Sequence, residues 1–127
     1  ADNEILTQIR IPIPAPGSGW SYQKLKRKTG DFATAATAVM LQMKGKSVAK
    51  VAIALTNAGP TVLKARDAEA SLVGKAIDDA SLNEAARLAM GICEPTPDQR
   101  GDAEYKVAMC GEMTRRALQA AHARAKG

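Results

Sequence analysis

From Val48 to Thr56 the chain alternates in side-chain size and polarity. Val51, Ile53 and Leu55 point to one side and Ala52 and Ala54 to the other, the period-two pattern of a strand. Asn57-Ala58-Gly59-Pro60 closes it with turn chemistry. Ile5 to Ile11 alternates in the same way apart from Leu6, which predicts a half-buried strand. Pro12, Pro14 and Pro16 stop it, and Gly17-Ser18-Gly19 predicts a flexible loop. Asp31 to Met43 pulls two ways. Its alanines and methionines favour helix, with Asp31 as an N-cap, whereas Gly45-Lys46-Ser47 joins it to Val48 over a hairpin-length gap. We read it as a strand.

Beyond Ala65 the spacing turns helical. Asp67 to Val73 predicts a short helix ended by Gly74, and Ser81 with Glu84 predicts a capping box opening a helix to about Ile92. Pro95 and Pro97 interrupt the chain. A long helix follows from about Asp102 to Ala125, with Tyr105, Ala108, Met109, Met113, Ala117, Ala120 and Ala121 on one face. Strands first and helices afterwards predict an α+β fold. Its expected form is a small antiparallel sheet of three to four strands, covered on one face by about three helices.

Composition narrows the possibilities. The 127 residues suit one domain, and 46% hydrophobic content excludes wholesale disorder. No apolar run reaches the roughly 20 residues of a membrane-spanning helix. Asp2 and Glu4 stand where a secretory signal would be basic and then apolar. The net charge is +5, yet the only dense cationic run is Lys24, Lys26, Arg27 and Lys28, without an aromatic ladder, so no nucleic-acid partner is expected. Cys93 and Cys110 lack metal-ligand spacing and are read as free thiols of a cytoplasmic protein. His122, the one histidine, stands near the end of the last helix and is read as a surface residue, with no sequence spacing that builds a metal site or activates a nucleophile. No catalytic residue and no metal ligand is assigned.

Alanine makes up about a fifth of the chain, and three of the four aromatics lie between Trp20 and Phe32. In that stretch, Tyr22, Lys24, Lys26 and Lys28 share one face if the backbone is extended, and Gln23, Leu25 and Arg27 the other. A tyrosine followed by cations suits a flat, anionic, aromatic ligand: the ring stacks, its hydroxyl bonds, and the cations balance charge. An amphipathic edge strand with Tyr22 as a half-buried anchor explains the same residues equally well.

Three motifs in register carry a family resemblance. Tyr22-Gln23-Lys24-Leu25-Lys26-Arg27-Lys28-Thr29-Gly30-Asp31-Phe32-Ala33 resembles the Tyr-x-Lys-x-x-x-Arg/Lys-x-x-Asp-Phe-Ala signature that opens the C-terminal domain of flavoprotein subunits in molybdenum hydroxylases. Ala68-Glu69 with Leu72-Val73-Gly74 resembles that family's Ala-Glu-x-x-Leu-x-Gly segment. Asp98-Gln99-Arg100-Gly101-Asp102-Ala103-Glu104-Tyr105-Lys106 resembles its Asp-x-Arg-Gly-Ser-Ala-Glu-Tyr-Arg element, with Lys106 where arginine is common. The resemblance covers roughly residues 4 to 125, and the basic tract with Gly30-Asp31-Phe32-Ala33 is similar to the carbon monoxide dehydrogenase branch.

The resemblance implies a division of labour. A molybdenum large subunit oxidises the substrate, iron–sulfur clusters on a small subunit relay electrons, and FAD on the medium subunit passes them to a quinone-like acceptor. The glycine-rich loops that hold the FAD phosphates belong to the region preceding this domain. Residues 1–16 are then a strand and linker from that FAD-binding region, and residues 17–127 the C-terminal domain. Such a domain is expected to be colourless and inactive alone, cytoplasmic, and near the inner membrane face if its acceptor is there. By the resemblance, Tyr22 lies against the flavin ring, Lys24 and Arg27 near its edge or the acceptor path, and Asp31 organises the strand start and pairs with a cation. Tyr105, Arg100 and Lys106 tie the long helix to the sheet. The competing reading is a protein–protein interaction module for subunit assembly or docking of an acceptor-side partner, built on the Ala- and Met-rich surfaces.

Overall fold

The computed structural model describes residues 3–125. In chain order these form β1 (Ser18–Leu25), β2 (Ala35–Lys44), β3 (Ser47–Thr56), β4 (Leu63–Lys64), α1 (Arg66–Leu72), α2 (Asp79–Met90) and α3 (Ala103–Ala125). The strands make one antiparallel sheet in the order β1-β2-β3-β4, with all three helices on one face. The expected α+β architecture is the one observed.

Local propensity loses to pairing in β2. Its alanines and methionines would accept a helix, but β1 and β3 flank it, so its backbone groups are paired on both sides. Its inward side chains, Ala35, Thr37, Val39 and Leu41, are buried with Ile53 and Leu55 of β3. Between β2 and β3 the register shifts: Gln42 faces Lys50, yet Met43 faces Val48, so Ala49 is an extra residue. The bulge turns Val48 inward, onto the side of Ile53, where strict alternation would have placed it outside.

Helix α3 lies across β1 and β2, α2 packs on α3, and α1 fills the gap between α2 and β3. Small residues make this possible. A methyl group at Gly19 would overlap the Ala121 carbonyl oxygen and stand 2.6 Å from the Ala125 amide nitrogen, so strand and helix backbones meet there directly. Deeper in the interface, Thr114 donates to the Cys110 carbonyl (2.8 Å), which leaves Thr37 to donate to the Thr114 hydroxyl (3.2 Å). The Ala68-Glu69-x-x-Leu72-x-Gly74 segment is structural. Ala68 and Leu72 enter the core, Glu69 accepts the Ile53 amide (2.8 Å), and Gly74, at φ 79°, donates its amide to the Val48 carbonyl.

Several expectations need correction. Ile5–Ile11 forms no strand: no described residue pairs with it, and Ile5, Leu6, Ile9 and Ile11 are exposed. Alternation marks a strand only where a neighbour completes its hydrogen bonds. Residues 1 and 2 of the expected lead-in lie outside the described residues. Ser18 and Gly19, read as loop, begin β1 because they pair with Gln42 and Leu41. The capping box is real but shifted: Asp78 is the N-cap of α2 and Ser81 its third residue, each bonding the other's amide. The buried face of α3 is also rotated from the expected one. Lys106, Cys110, Met113, Thr114, Ala117, Leu118 and Ala121 point inward, while Tyr105 and Ala108 face out.

Gly19→Ala is expected to destabilise the chain by about 1–3 kcal/mol, because two backbones must separate to admit one methyl. Urea unfolding measures it. In the same assay Thr114→Val should cost about 1–3 kcal/mol, since it strands the Thr37 hydroxyl proton, and Thr37→Val should cost clearly less. Equal losses would show that the hydroxyl order is wrong.

Candidate functional site

The helices cover one side of the sheet and leave the other open. On that outer side β1 presents Trp20, Tyr22 and Lys24, opposite Met40, Ala38 and Ala36 of β2, with Ala52, Ala54 and Thr56 of β3 beyond. Lys64 closes the row from β4, opposite Ala54. Tyr22 is 53% exposed and Trp20 57% exposed on an otherwise well-packed strand. Arg124, from the last turn of α3, bonds the Trp20 carbonyl and stacks its guanidinium 4.3 Å from the indole centroid. It steadies β1 at the sheet edge. A shallow, mainly apolar hollow of about 410 Å³ runs over this face between Met40, Ala52, Ala54, Val62 and Lys64. A larger hollow of about 590 Å³, lined by Met43, Lys46, Ile77 and His122, lies at the β2–β3 hairpin and holds none of the expected site residues.

The four expected site residues fall into two groups. Tyr22 and Lys24 stand together on the open face, two residues apart on one strand. Arg27 and Asp31 lie in the β1–β2 turn instead, where they are engaged with each other and with the segment before α3. Asp31 Oδ1 accepts from Arg100 Nη2 at 2.9 Å and from the Phe32 amide at 2.8 Å, and Arg27 Nε stands 4.0 Å from Oδ2. Arg27 also reaches the Gln99 carbonyl at 3.5 Å. Asp31 thus does pair with a cation, as expected. The hydrogen bond from Arg100 is the main cause that holds its carboxyl below the ordinary range, with partial burial opposing.

Lys106 occupies an unusual place for a lysine, 1% exposed. Its ammonium donates to the Thr96 carbonyl (2.6 Å) and meets Asp98 at 2.9 Å. Asp98 also accepts the Arg100 amide (2.7 Å), and the hydrogen bond from Lys106 is the first cause that holds its carboxyl below the ordinary carboxylate range. The third motif is therefore a clamp. Arg100 ties it to the β1–β2 turn, Lys106 ties α3 to residues 96–98 rather than to the sheet, and Tyr105 lies half-exposed over Gly101. Cys93 and Cys110 are free thiols, Cys110 in the core and Cys93 packed against it and bonding the Ala89 carbonyl. No group of three metal-binding side chains and no helix suited to crossing a membrane occurs among the described residues.

Trp20, Met40 and Lys64 join the open face without having been singled out as site residues. Trp20 carried a usable signal, the same strand parity as Tyr22. Met40 and Lys64 carried none, since the sheet order that brings them there depends on tertiary pairing.

What such a face can do is limited and definite. Its alanine floor lets a planar group lie close, Tyr22 offers a ring and a hydroxyl, and Lys24 and Lys64 offer charge. It contains no proton donor or nucleophile arranged for bond cleavage. An open sheet face with these groups is suited to contact with a flat, negatively charged group. The sequence matches the CO dehydrogenase flavoprotein C-terminal domain family over residues 20–121, and the chain belongs to that family. It is 50% identical over 123 residues to the carbon monoxide dehydrogenase medium chain of Hydrogenophaga pseudoflava, covering 97% of this chain and 43% of that one. The medium chain from Afipia carboxidovorans is 51% identical over the same length and the same shares. A solved carbon monoxide dehydrogenase from H. pseudoflava superposes with a TM-score of 0.88 at 54% identity, over 90% of this chain and 40% of that one. The chain thus spans less than half the length of these relatives.

The pairing predicts a pH effect. Because the Asp31 carboxyl is depressed in the folded state, its contribution to stability is complete above the unfolded value of about 3.9. It is lost as pH falls through the lower folded value. Titration of Asp31 by carboxyl carbon NMR should show a low midpoint that Arg100→Gln moves up toward the ordinary one. An unchanged midpoint would mean that Arg100 does not hold the carboxylate.

Proposed function

We propose that this chain is the C-terminal domain of the FAD-carrying medium subunit of a carbon monoxide dehydrogenase. In this reading its open sheet face closes the isoalloxazine end of the FAD site. The subunit passes electrons from iron–sulfur clusters, on a small subunit, to a quinone-like acceptor, while a molybdenum large subunit oxidises carbon monoxide. Residues 1–16 lead in from the preceding FAD-binding region, and their alternating pattern suits a strand whose partner lies there. Residues 17–127 form the domain. The location is cytoplasmic, with the inner membrane face as the meeting place for a membrane-borne quinone.

The observation that carries this reading is Tyr22, half exposed on a rigid strand, beside Lys24 and over a floor of alanines. The floor fits a flat ring, because bulkier side chains at 38, 52 and 54 would lift it away. The cofactor, when bound, supplies the capacity to take electrons singly or in pairs. This chain's share is to cover a face of the ring, exclude water there, and set positive charge nearby. Tyr22 and Lys24 are the residues for that work. Arg27 serves the ring edge or the acceptor path, and Asp31 holds the β1–β2 turn through Arg100 rather than touching the cofactor. The phosphates need backbone amides from elsewhere, since no glycine-rich phosphate loop occurs among residues 3–125.

The test uses an H. pseudoflava-type medium chain in which this sequence supplies the C-terminal part. Tyr22→Ala should raise flavin fluorescence and weaken FAD binding roughly two- to tenfold, the worth of one aromatic stacking contact. Tyr22→Phe should retain both properties. Fluorescence and affinity unchanged in Tyr22→Ala would place the flavin elsewhere and bring the interaction-module reading forward.

A further inference from the structure

A pair of nucleophilic side chains lies inside the helical layer, away from the open face. Cys93 follows the end of α2, where its amide bonds the Met90 carbonyl at 3.1 Å, and Cys110 is fully buried on the inner side of α3. The two helices approach closely at this point, since a methyl group at Gly111 would stand 2.7 Å from the Met90 sulfur. A hydrogen bond joins the two thiols across the contact. Cys93 gives its own proton to the Ala89 carbonyl at 3.2 Å, so Cys110 is the donor between the two sulfurs. That bond holds the Cys93 thiol below its ordinary value, with burial opposing, and the same bond together with burial pushes Cys110 up.

We propose that Cys93 and Cys110 form a dithiol that hydrogen peroxide oxidises to an intramolecular disulfide, with Cys93 as the attacking sulfur and Cys110 as the resolving one. Cys93 is only half-buried, so it meets the oxidant first. Its thiolate attacks one peroxide oxygen, the O–O bond breaks, and hydroxide departs and takes a proton from solvent to become water. Cys93 is then a sulfenic acid. The Cys110 sulfur attacks the Cys93 sulfur, the S–O bond breaks, and hydroxide leaves with the Cys110 proton as a second water. The two thiols have together lost two electrons and two protons, and one peroxide has become two waters.

Two observations favour this over core thiols that merely pack as small apolar side chains. Such thiols need no contact with each other, yet these are bonded, one reachable from solvent and one not. The bridge also fits the fold. Cys110 stands one turn beyond Lys106 on the inner side of α3, so the bond would hold residue 93 to the same surface to which Lys106 already holds Thr96 and Asp98. In a reducing compartment such a bond is transient, formed under oxidant and reversed by dithiol exchange.

The full chain contains only these two cysteines, so thiols are counted without ambiguity. The folded, reduced chain is treated with a small excess of hydrogen peroxide, with dimedone present to trap sulfenic acid. Products are followed by intact mass and peptide mapping. The parent should lose both thiols together, stay free of interchain bonds, gain little dimedone adduct, and recover both thiols with dithiothreitol. Once bridged, it should unfold at a higher urea concentration than when reduced, because the bond closes a loop that the fold already closes. Cys110→Ala should collect the adduct on Cys93, and Cys93→Ala should leave Cys110 unmodified at the same peroxide dose. A parent that stops at sulfenic or sulfinic acid on Cys93, that bonds only between chains, or that unfolds at no higher urea concentration once bridged would overturn the proposal. Oxidation of Cys110 in Cys93→Ala at the parental rate would overturn it as well, because Cys110 would not then depend on Cys93.

Discussion

The direct approach of α3 to β1 at Gly19 decides which side of the sheet each functional group occupies. A helix backbone this close to a strand tolerates only small inward side chains, and β1 supplies Gly19 and Ser21, both buried. Period-two alternation then forces the intervening residues outward. Trp20, Tyr22 and Lys24 are on the open face because the opposite face has no room for them. Stability and site are thus set by one packing contact. The large aromatic surface left in solvent is the consequence of a core built from alanine, threonine and glycine along α3.

The same economy of size explains the flat outer floor. Ala38, Ala52 and Ala54 give the middle of the sheet little relief, and Met40 and Lys64 rise beside them. Alanines in a central strand contribute little to β-propensity, so the strand depends on pairing from both neighbours. A flat floor is therefore affordable only in the middle of a sheet.

Much of this was legible in the sequence, and the limits are specific. The β2–β3 hairpin was readable because Gly45-Lys46-Ser47 constrains what lies on either side, even against the helical leaning of Asp31 to Met43. The family motifs were readable in register, and they mark scaffold as much as site: Glu69 and Asp98 bond backbone amides, while Arg100 bonds a carboxylate. Ile5–Ile11 pairs with no described residue, because alternation records a face without recording a neighbour. The face of α3 was misread because Lys106 does not count as apolar, yet its stem and paired head occupy a buried position. Sequence spacing placed Tyr22, Lys24, Arg27 and Asp31 in one tract. It could not show that the strand ends at Leu25 and that the tract divides there between an open face and a clamped turn.

The division also accounts for where the surplus charge goes. The acidic residues near the clamp are spent internally: Asp31 and Asp98 on Arg100 and Lys106, Glu69 on the Ile53 amide and Lys64. Farther along α3, Glu112 holds both Arg115 and Arg116. Lys24, Lys26 and Lys28 have no such acidic neighbour among the ion pairs of the described residues, and they lie along and just beyond the exposed end of β1. Arg10, Lys44, Lys46, Lys50, Arg66 and Lys75 likewise take part in none of those ion pairs, so the net charge of +5 is spread over the surface, with Lys24 its share on the flat face. In the proposed reading, Lys24 and Tyr22 supply attraction and stacking for the same kind of ligand, an anionic molecule with a planar end. Arg27 is set apart from that face by the clamp, where it meets Asp31 and the Gln99 carbonyl, so the tract's cations divide between a face and a turn as its sequence does not announce.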